Sequence, residues 1–319
     1  MYKFIIKRLL MLIPVLLGIS FILYSIMSLT PGDAATLMLG DSANEQAILK
    51  LREELGLNGG FFENYIRYIG NIILHGDFGI SYRTRNPVFT EVLTRFHYTL
   101  RLAFTAILIS TVFGVLFGII AAVKQYSFTD NFITAVTLAL TSMPDFWLGM
   151  MLIIIFAVTL KLLPISGATS WRHFILPGLT ASANYMAYTI RQTRSSMLET
   201  IRMDYVRTAR AKGVPEGKIV FGHTLKNALM PIVTLVGVNM GWQLGGTIII
   251  EQIFGIPGLG SLLIMSIRLK DTPVIIASVM FVATLSSLIN LGTDILYAFI
   301  DPRIKSLYQT KKKAVKTSG

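Results

Sequence analysis

The chain has no cysteine, and only 14% of its 319 residues are charged. The first absence excludes disulfides, thiolate metal sites and cysteine nucleophiles. The second falls well short of the roughly 25% charge of soluble domains and matches what a bilayer demands, because lipid solvates no ion. Acidic residues are scarcer than basic ones, 17 against 29, for a net charge of +12. The four histidines, His75, His97, His173 and His223, show no metal-ligand spacing. Neither H-E-x-x-H nor G-x-S-x-G occurs. "GVPEGK", Gly213 to Lys218, has three residues between its glycines where a phosphate-cradling loop needs four, and Ile219 follows Lys218 in place of Ser or Thr. No catalytic residue, metal or cofactor is expected in this chain.

Apolar residues are abundant, 53% with a mean hydropathy of +0.62. A transmembrane helix takes about 20 mostly apolar residues. Leu9–Leu29, Leu100–Val123, Ala135–Leu160, Ala228–Ile250 and Val274–Ile300 meet that requirement. The first exceeds the ~7–15 residues of a signal-peptide core and lacks a small-x-small cleavage site, so it reads as a retained span. Phe174–Ile190, with Asn184 and two tyrosines, is a weaker candidate.

Charge decides whether that weak segment crosses. With six spans and the N-terminus inside, the inner segments hold 18 Lys/Arg and five Asp/Glu, and the outer ones 11 and ten. Were Phe174–Ile190 not to cross, the eight basic residues from Arg191 to Lys226 would fall outside, against the positive-inside rule. The economical fold is all-α and polytopic, with six transmembrane helices and both termini cytoplasmic. Basic charge held at an inner membrane face needs no nucleic acid to explain it.

Residues 1–94 then comprise the first span and an external subdomain, 95–300 the membrane core, and 301–319 a basic tail that can touch anionic lipid. In the external part, "SANEQAILKLREELGL" carries a stripe of Ala47, Leu51 and Leu55 with Ser42 or Asn44 as cap, and "FFENYIRYIGNIIL" is amphipathic and aromatic, as suits a membrane surface. Gly114 and Gly118, and Gly237, Gly241 and Gly245, lie at the GxxxG spacing that lets helix backbones approach.

Between the fourth and fifth spans, residues 191–227 form a charged loop far longer than a connector needs. From Ser195, Met197, Ile201, Tyr205 and Thr208–Ala209 recur at helical spacing, with Arg194, Glu199, Arg202 and Arg210 largely elsewhere on the wheel. Gly213 is placed to end this helix in the left-handed conformation. Val214 precedes a proline and is pushed from helical geometry, and Pro215 suits the first turn of a second helix. The segment reads as a helix–Gly–helix elbow, either an interfacial anchor or a lever for a second protein.

"DYVRTARAKG…HTLKNALMP", from Asp204, resembles the EAA-type loop of ABC importer permeases, and most closely the oligopeptide/dipeptide/nickel permease family. "GDFGISY" (76–82), "MPDFWLGM" (143–150), "LLPISG" (162–167) and "EQIFGIPGLG" (251–260) resemble the same family. Lys226 stands where sugar permeases have the loop proline, which here comes at Pro231. The resemblance implies a type I importer bundle in the cytoplasmic membrane of a prokaryote. It implies two ABC ATPase subunits that hydrolyse ATP and receive the elbow through Asp204, Tyr205, Arg207, Ala209, Ala211, Gly213 and Val214. A second homologous permease, an extracytoplasmic substrate-binding protein and surrounding lipid complete the implied partners, and peptides are the implied cargo.

Polar residues in or beside spans are expensive and often functional. Asp145, Asn239, Gln243, Glu251, Asn290 and Asp294 are candidates for a translocation path or gate. Helix-to-helix hydrogen bonding, or capping for Asp145, is the competing role. Three rival readings stand beside peptide import: import of nickel or a metal chelate; ion-coupled secondary transport, which would need no ATPase and would not explain the elbow; and a structural membrane scaffold, in which the elbow is a passive anchor.

Overall fold

The computed structural model describes residues 2–30, 34–39 and 44–300. The basic tail and Ser42 lie outside them. The described chain is helical: α1 (Tyr2–Leu29), α2 (Ala34–Leu39), α3 (Glu45–Glu54), α4 (Phe61–His75), α5 (Val88–Val123), α6 (Phe128–Ser142), α7 (Asp145–Leu152), α8 (Ile175–Ile201), α9 (Asp204–Ala211), α10 (Glu216–Lys218), α11 (Leu225–Gly246), α12 (Ile248–Ile253), α13 (Leu259–Arg268) and α14 (Thr272–Ile300). Two π-helical stretches, Ile153–Thr159 and Ile219–Thr224, extend α7 and join α10 to α11. Asn44 caps α3, its Oδ1 accepting from the Gln46 N–H at 3.1 Å.

Among the described residues, Ile5–Leu29, Val88–Val123, Glu216–Gly246 and Thr272–Ile295 are long and apolar enough to cross a membrane. The expected single span Ala135–Leu160 is instead a broken pair, α6 and α7 with its π extension, bent by 110°. Met143 is extended (φ −88°, ψ 129°) because Pro144 disfavours helical geometry in the residue before it. The expected amphipathic helix from Ser195 is also divided. α8 runs through to Ile201, and α9 starts afresh after an extended Met203.

α8 is not apolar, yet it is the most enclosed of the long helices. Fourteen of its 27 residues are buried, so protein rather than lipid solvates them. Its partner is α5, and the seam is built from glycine and threonine. A Cβ on Gly114 would lie 2.6 Å from Thr189 Cβ, one on Gly118 2.5 Å from Thr193 Cβ, and one on Gly178 2.6 Å from Thr105 Cγ2. The backbones therefore touch, as in small-residue packing generally.

These contacts also fix direction. Residues 105, 114 and 118 meet 178, 189 and 193 in the same order, so α5 and α8 run parallel. α11 runs against α8: Gln243 reaches the Ala181 carbonyl at one end, and Ala228 packs with Met197 at the other. α14 runs against α11, with Gly241 beside Asn290 and Gly237 beside Thr293. α1 runs against α14, joined by the Arg8–Asp294 ion pair near one end and by Lys270 Nζ donating to the Thr30 carbonyl at the other.

The end of the bundle holding Thr30 and Lys270 carries the smaller helices. Asp271 anchors them there. Its carboxylate accepts from Ser81 Oγ at 2.5 Å and from the Tyr82 and Arg83 N–H groups at 3.0 and 3.3 Å. Below it, Val88 and Val92 of α5 pack with Leu259, Leu262, Val274 and Ala277.

Candidate functional site

The opposite, basic end of the bundle carries the elbow. α9 stands on a buried Val206, and the π-helical turn beneath it on a fully buried Ile219. At its C-terminus Gly213 adopts φ +73°, open to the left-handed region only at low cost for glycine. Its N–H bonds the Arg210 carbonyl at 2.9 Å, and the Val214 N–H bonds that of Ala209 at 3.2 Å. These bonds close the helix end as the sequence implies.

Across the bend, Arg210 grips Glu216 with two contacts, Nε to Oε1 at 2.7 Å and Nη2 to Oε2 at 3.3 Å. The hydrogen-bonded guanidinium holds the Glu216 carboxyl below its ordinary value, and the carboxylate holds Arg210 above its own. Tyr205 ties α9 to the root of α11, its hydroxyl accepting from Asn227 Nδ2 at 2.8 Å. Nearby, Asp130 receives both Nε and Nη2 of Arg194 at 2.8 Å and the Tyr126 N–H at 2.9 Å, which pins α6 to α8.

The residues named for docking divide by position. Asp204, Tyr205, Arg207, Ala211 and Gly213 are exposed, while Ala209 and Val214 are half-buried. Gly213 has nothing within 4 Å of where a Cβ would stand. The outer surface of α9 is thus small, polar and free of bulk around Ala211 and Gly213. Met203 and Phe221 flank it with exposed apolar side chains. Sequence reasoning did not single out Glu216 or Asn227, because each gains its role from a partner on the far side of the bend.

The polar interior residues are dispersed. Asp145 begins α7 and accepts from Asn184 Nδ2 of α8 at 2.8 Å. Gln243 is buried and donates from Nε2 to the Ala181 carbonyl at 3.1 Å. Asn239 is half-buried and Asn290 exposed, with Asn290 abutting Gly241. Asp294 is engaged by Arg8.

Glu251 is the most enclosed of them, with no exposed surface. Its Oε1 accepts from Thr99 Oγ1 of α5 at 2.6 Å and from Thr247 Oγ1 at 3.3 Å, and its Oε2 accepts from the Ser261 N–H at 3.0 Å. Thr99 Oγ1 in turn accepts from the Leu259 N–H at 2.8 Å. The carboxylate sits at the N-terminus of α13, where unpaired N–H groups and the helix dipole favour negative charge. It joins α5, α12 and α13 into one unit. Among the described residues no group of three or more His, Asp or Glu could hold a metal ion.

Comparison with known proteins agrees with this geometry. Residues 114–306 match the profile described as "Binding-protein-dependent transport system inner membrane component", and residues 1–103 match its N-terminal counterpart. The glutathione transport system permease protein GsiC of Escherichia coli K12 is 43% identical over 305 residues, covering 96% of this chain and 99% of the relative. GsiC of Shigella flexneri serotype 5b matches to the same extent. Among solved structures, an inward-facing crystal form of the methionine ABC transporter MetNI superposes with a TM-score of 0.57 at 17% identity, covering 67% of this chain and 97% of that one. A second form gives 0.56 at 18% identity.

Proposed function

The chain belongs to the family of binding-protein-dependent transport system inner membrane components, and from that premise we propose that it carries short peptides inward by alternating access, as one of two homologous permeases driven by a pair of ATPases. That it is a permease of an ABC importer, a multi-pass protein of the cytoplasmic membrane and not itself an enzyme, follows from the family. The peptide cargo rests on the relatives named for glutathione, itself a small peptide. The second permease rests on the resemblance drawn from the elbow sequence.

The observation that carries the mechanism is the direction of the helices. α1 and α14 run antiparallel with Arg8 beside Asp294, and α5 and α8 run parallel. A return crossing by the bent α6–α7 pair reconciles the two, giving six crossings with both ends on one side. The elbow lies on that side, and the Lys/Arg excess around it supports reading that side as cytoplasmic. An ATPase that closes on ATP would push on α9. The Arg210–Glu216 clamp and the Tyr205–Asn227 bond would pass the displacement to α11. The rocking of α11 against α8 and α14 would then switch a central path between its two faces. Asp145, Asn239, Gln243, Asn290 and Asp294 stay candidates to line or brace that path, and Glu251 to hold its outer gate. For docking, the exposed faces of Asp204, Tyr205, Arg207, Ala211 and Gly213, with Ala209 and Val214 beneath, form the surface offered.

The test is uptake of radiolabelled glutathione and of dipeptides into cells expressing the complete transporter, with nickel as competitor cargo. ATP-dependent accumulation of a peptide supports the reading. Accumulation of nickel alone replaces it with metal import, and uptake driven by an ion gradient without ATPases removes it.

A further inference from the structure

α4, amphipathic and aromatic as suits a membrane surface, is tied by its contacts to the middle of α1. The Tyr65 hydroxyl pairs with Ser20 Oγ at 3.0 Å and with the Leu17 carbonyl at 3.2 Å. Both partners are on α1, within the 25-residue apolar stretch Ile5–Leu29. Leu17 lies 12 residues from either end of that stretch, and at 1.5 Å per residue this is about 18 Å from its outer end. The rings of Phe61 and Tyr65 also pack on both Phe21 and Tyr24, with centroids 5.3 to 6.0 Å apart. The first turns of α4 therefore sit at the depth of the second half of α1, not above it.

The helix wheel of α4 has three sectors. Phe61, Tyr65, Tyr68, Ile69 and Ile72 face the protein. Glu63, Arg67, Asn71 and His75 form an exposed arc that is polar except for Leu74 near the C-terminal end. Phe62, Ile66 and Ile73 make a purely hydrocarbon stripe beside the packed sector, 66%, 67% and 65% exposed. On α1, Phe21, which touches Phe61, is itself partly exposed, and Ile22 and Ile26 are exposed on the same apolar stretch. A polar arc opposite a hydrocarbon stripe is the pattern of a helix lying in a membrane interface, and the tyrosines around it suit the boundary zone.

We propose that α4 is a half-inserted helix of the outer leaflet, whose Phe62–Ile66–Ile73 stripe is covered by phospholipid chains while its polar arc faces the headgroups. The occupant is lipid because the stripe lies beside an apolar span at its own depth and offers no hydrogen-bonding group. The helix fixes the outer half of α1 and, through Tyr68 donating to the Pro273 carbonyl, the start of α14. This inference does not depend on the cargo or on the ATPases.

The absence of cysteine makes the test direct. Single cysteines at Phe62, Ile66, Ile73, Arg67 and Asn71, with Ile22 and Ile26 on α1 as references, are spin-labelled in the full chain reconstituted in phosphatidylethanolamine–phosphatidylglycerol vesicles. Collision with oxygen, which concentrates in lipid, is compared with collision with a water-soluble nickel chelate. Phe62→Cys, Ile66→Cys and Ile73→Cys are expected to favour oxygen severalfold, as the α1 references do, and Arg67→Cys and Asn71→Cys to favour nickel. Nickel access at the three stripe positions would place them in water and overturn the proposal. Exclusion of both reagents there would mean that a protein surface covers the stripe, which overturns it equally.

Discussion

Gly258 lies against Glu251 so closely that a Cβ added to the glycine would stand 2.4 Å from the carboxyl carbon. Gly260 is confined as well, with the Ile248 Cα 2.6 Å and Glu251 Oε2 3.0 Å from its notional Cβ. Gly258 and Gly260 of "GIPGLG" thus make room for a carboxylate, and the carboxylate secures the start of α13.

Gly258→Ala should destabilise the end of the bundle that holds α13 by about 1–3 kcal/mol, the usual cost of forcing an extra methyl into a packed site. Gly245→Ala, with nothing within 4 Å of its Cβ position, should not. Thermal melting of the two variants in the same detergent compares them, and equal loss would remove the packing argument.

Glu251→Ala leaves the Ser261 N–H and the Thr99 hydroxyl without their acceptor in a buried place. The expected cost is about 1–3 kcal/mol. Glu251→Gln keeps an acceptor oxygen and should recover much of the stability. A glutamine variant as unstable as the alanine one would show that charge at the α13 N-terminus, and not the hydrogen-bond set, holds the segment.

The α5–α8 seam makes a separate prediction. Gly118→Ala sets a methyl 2.5 Å from Thr193 Cβ and 2.9 Å from the Ile190 carbonyl. The helices must separate, at a cost of about 1–3 kcal/mol. Thr193→Ala in the same chain should relieve part of it, a coupling that a double-mutant cycle measures directly. Strict additivity of the two changes would argue against contact.

The elbow clamp is pH-dependent with a defined sign. Glu216 has its carboxyl lowered by the Arg210 hydrogen bonds. Its ordering contribution is fully present above the ordinary carboxylate value and is lost as pH falls through the lowered one. The pair is exposed and screened by salt, so the effect is local to the bend and not a matter of global stability. A spin label at Lys212→Cys should gain mobility on acidification below the carboxylate range, and in high salt at neutral pH. In Glu216→Gln it should be mobile throughout. A label equally immobile in both chains would show that the backbone bonds of Gly213 and Val214 suffice.

Much of this was legible in the sequence because it is local or obeys a membrane-wide rule. Gly213 and Pro215 mark the bend through their own backbone preferences. The eight basic residues after Ile190 are what make α8 a candidate crossing helix, since its composition does not. The structure supplies the reason that composition fails there: α8 is sheathed by α5, α6 and α11, so threonine and serine replace leucine. Other features depend on distant partners. Thr99 meets Glu251 across 152 residues and Arg8 meets Asp294 from opposite ends of the chain, and nothing near either residue announces the pairing. Pro144 lies inside the expected span Ala135–Leu160, but the 110° bend it permits depends on how α7 packs against α8 and α12.

The central claim is that the elbow meets its motor from the cytoplasm. A single Lys212→Cys chain, in cells whose outer barrier is removed and in inverted membrane vesicles, can be treated with a membrane-impermeant maleimide. The account predicts labelling in inverted vesicles and none in intact spheroplasts. Labelling of intact spheroplasts would put the elbow outside, where no ATPase could grip it.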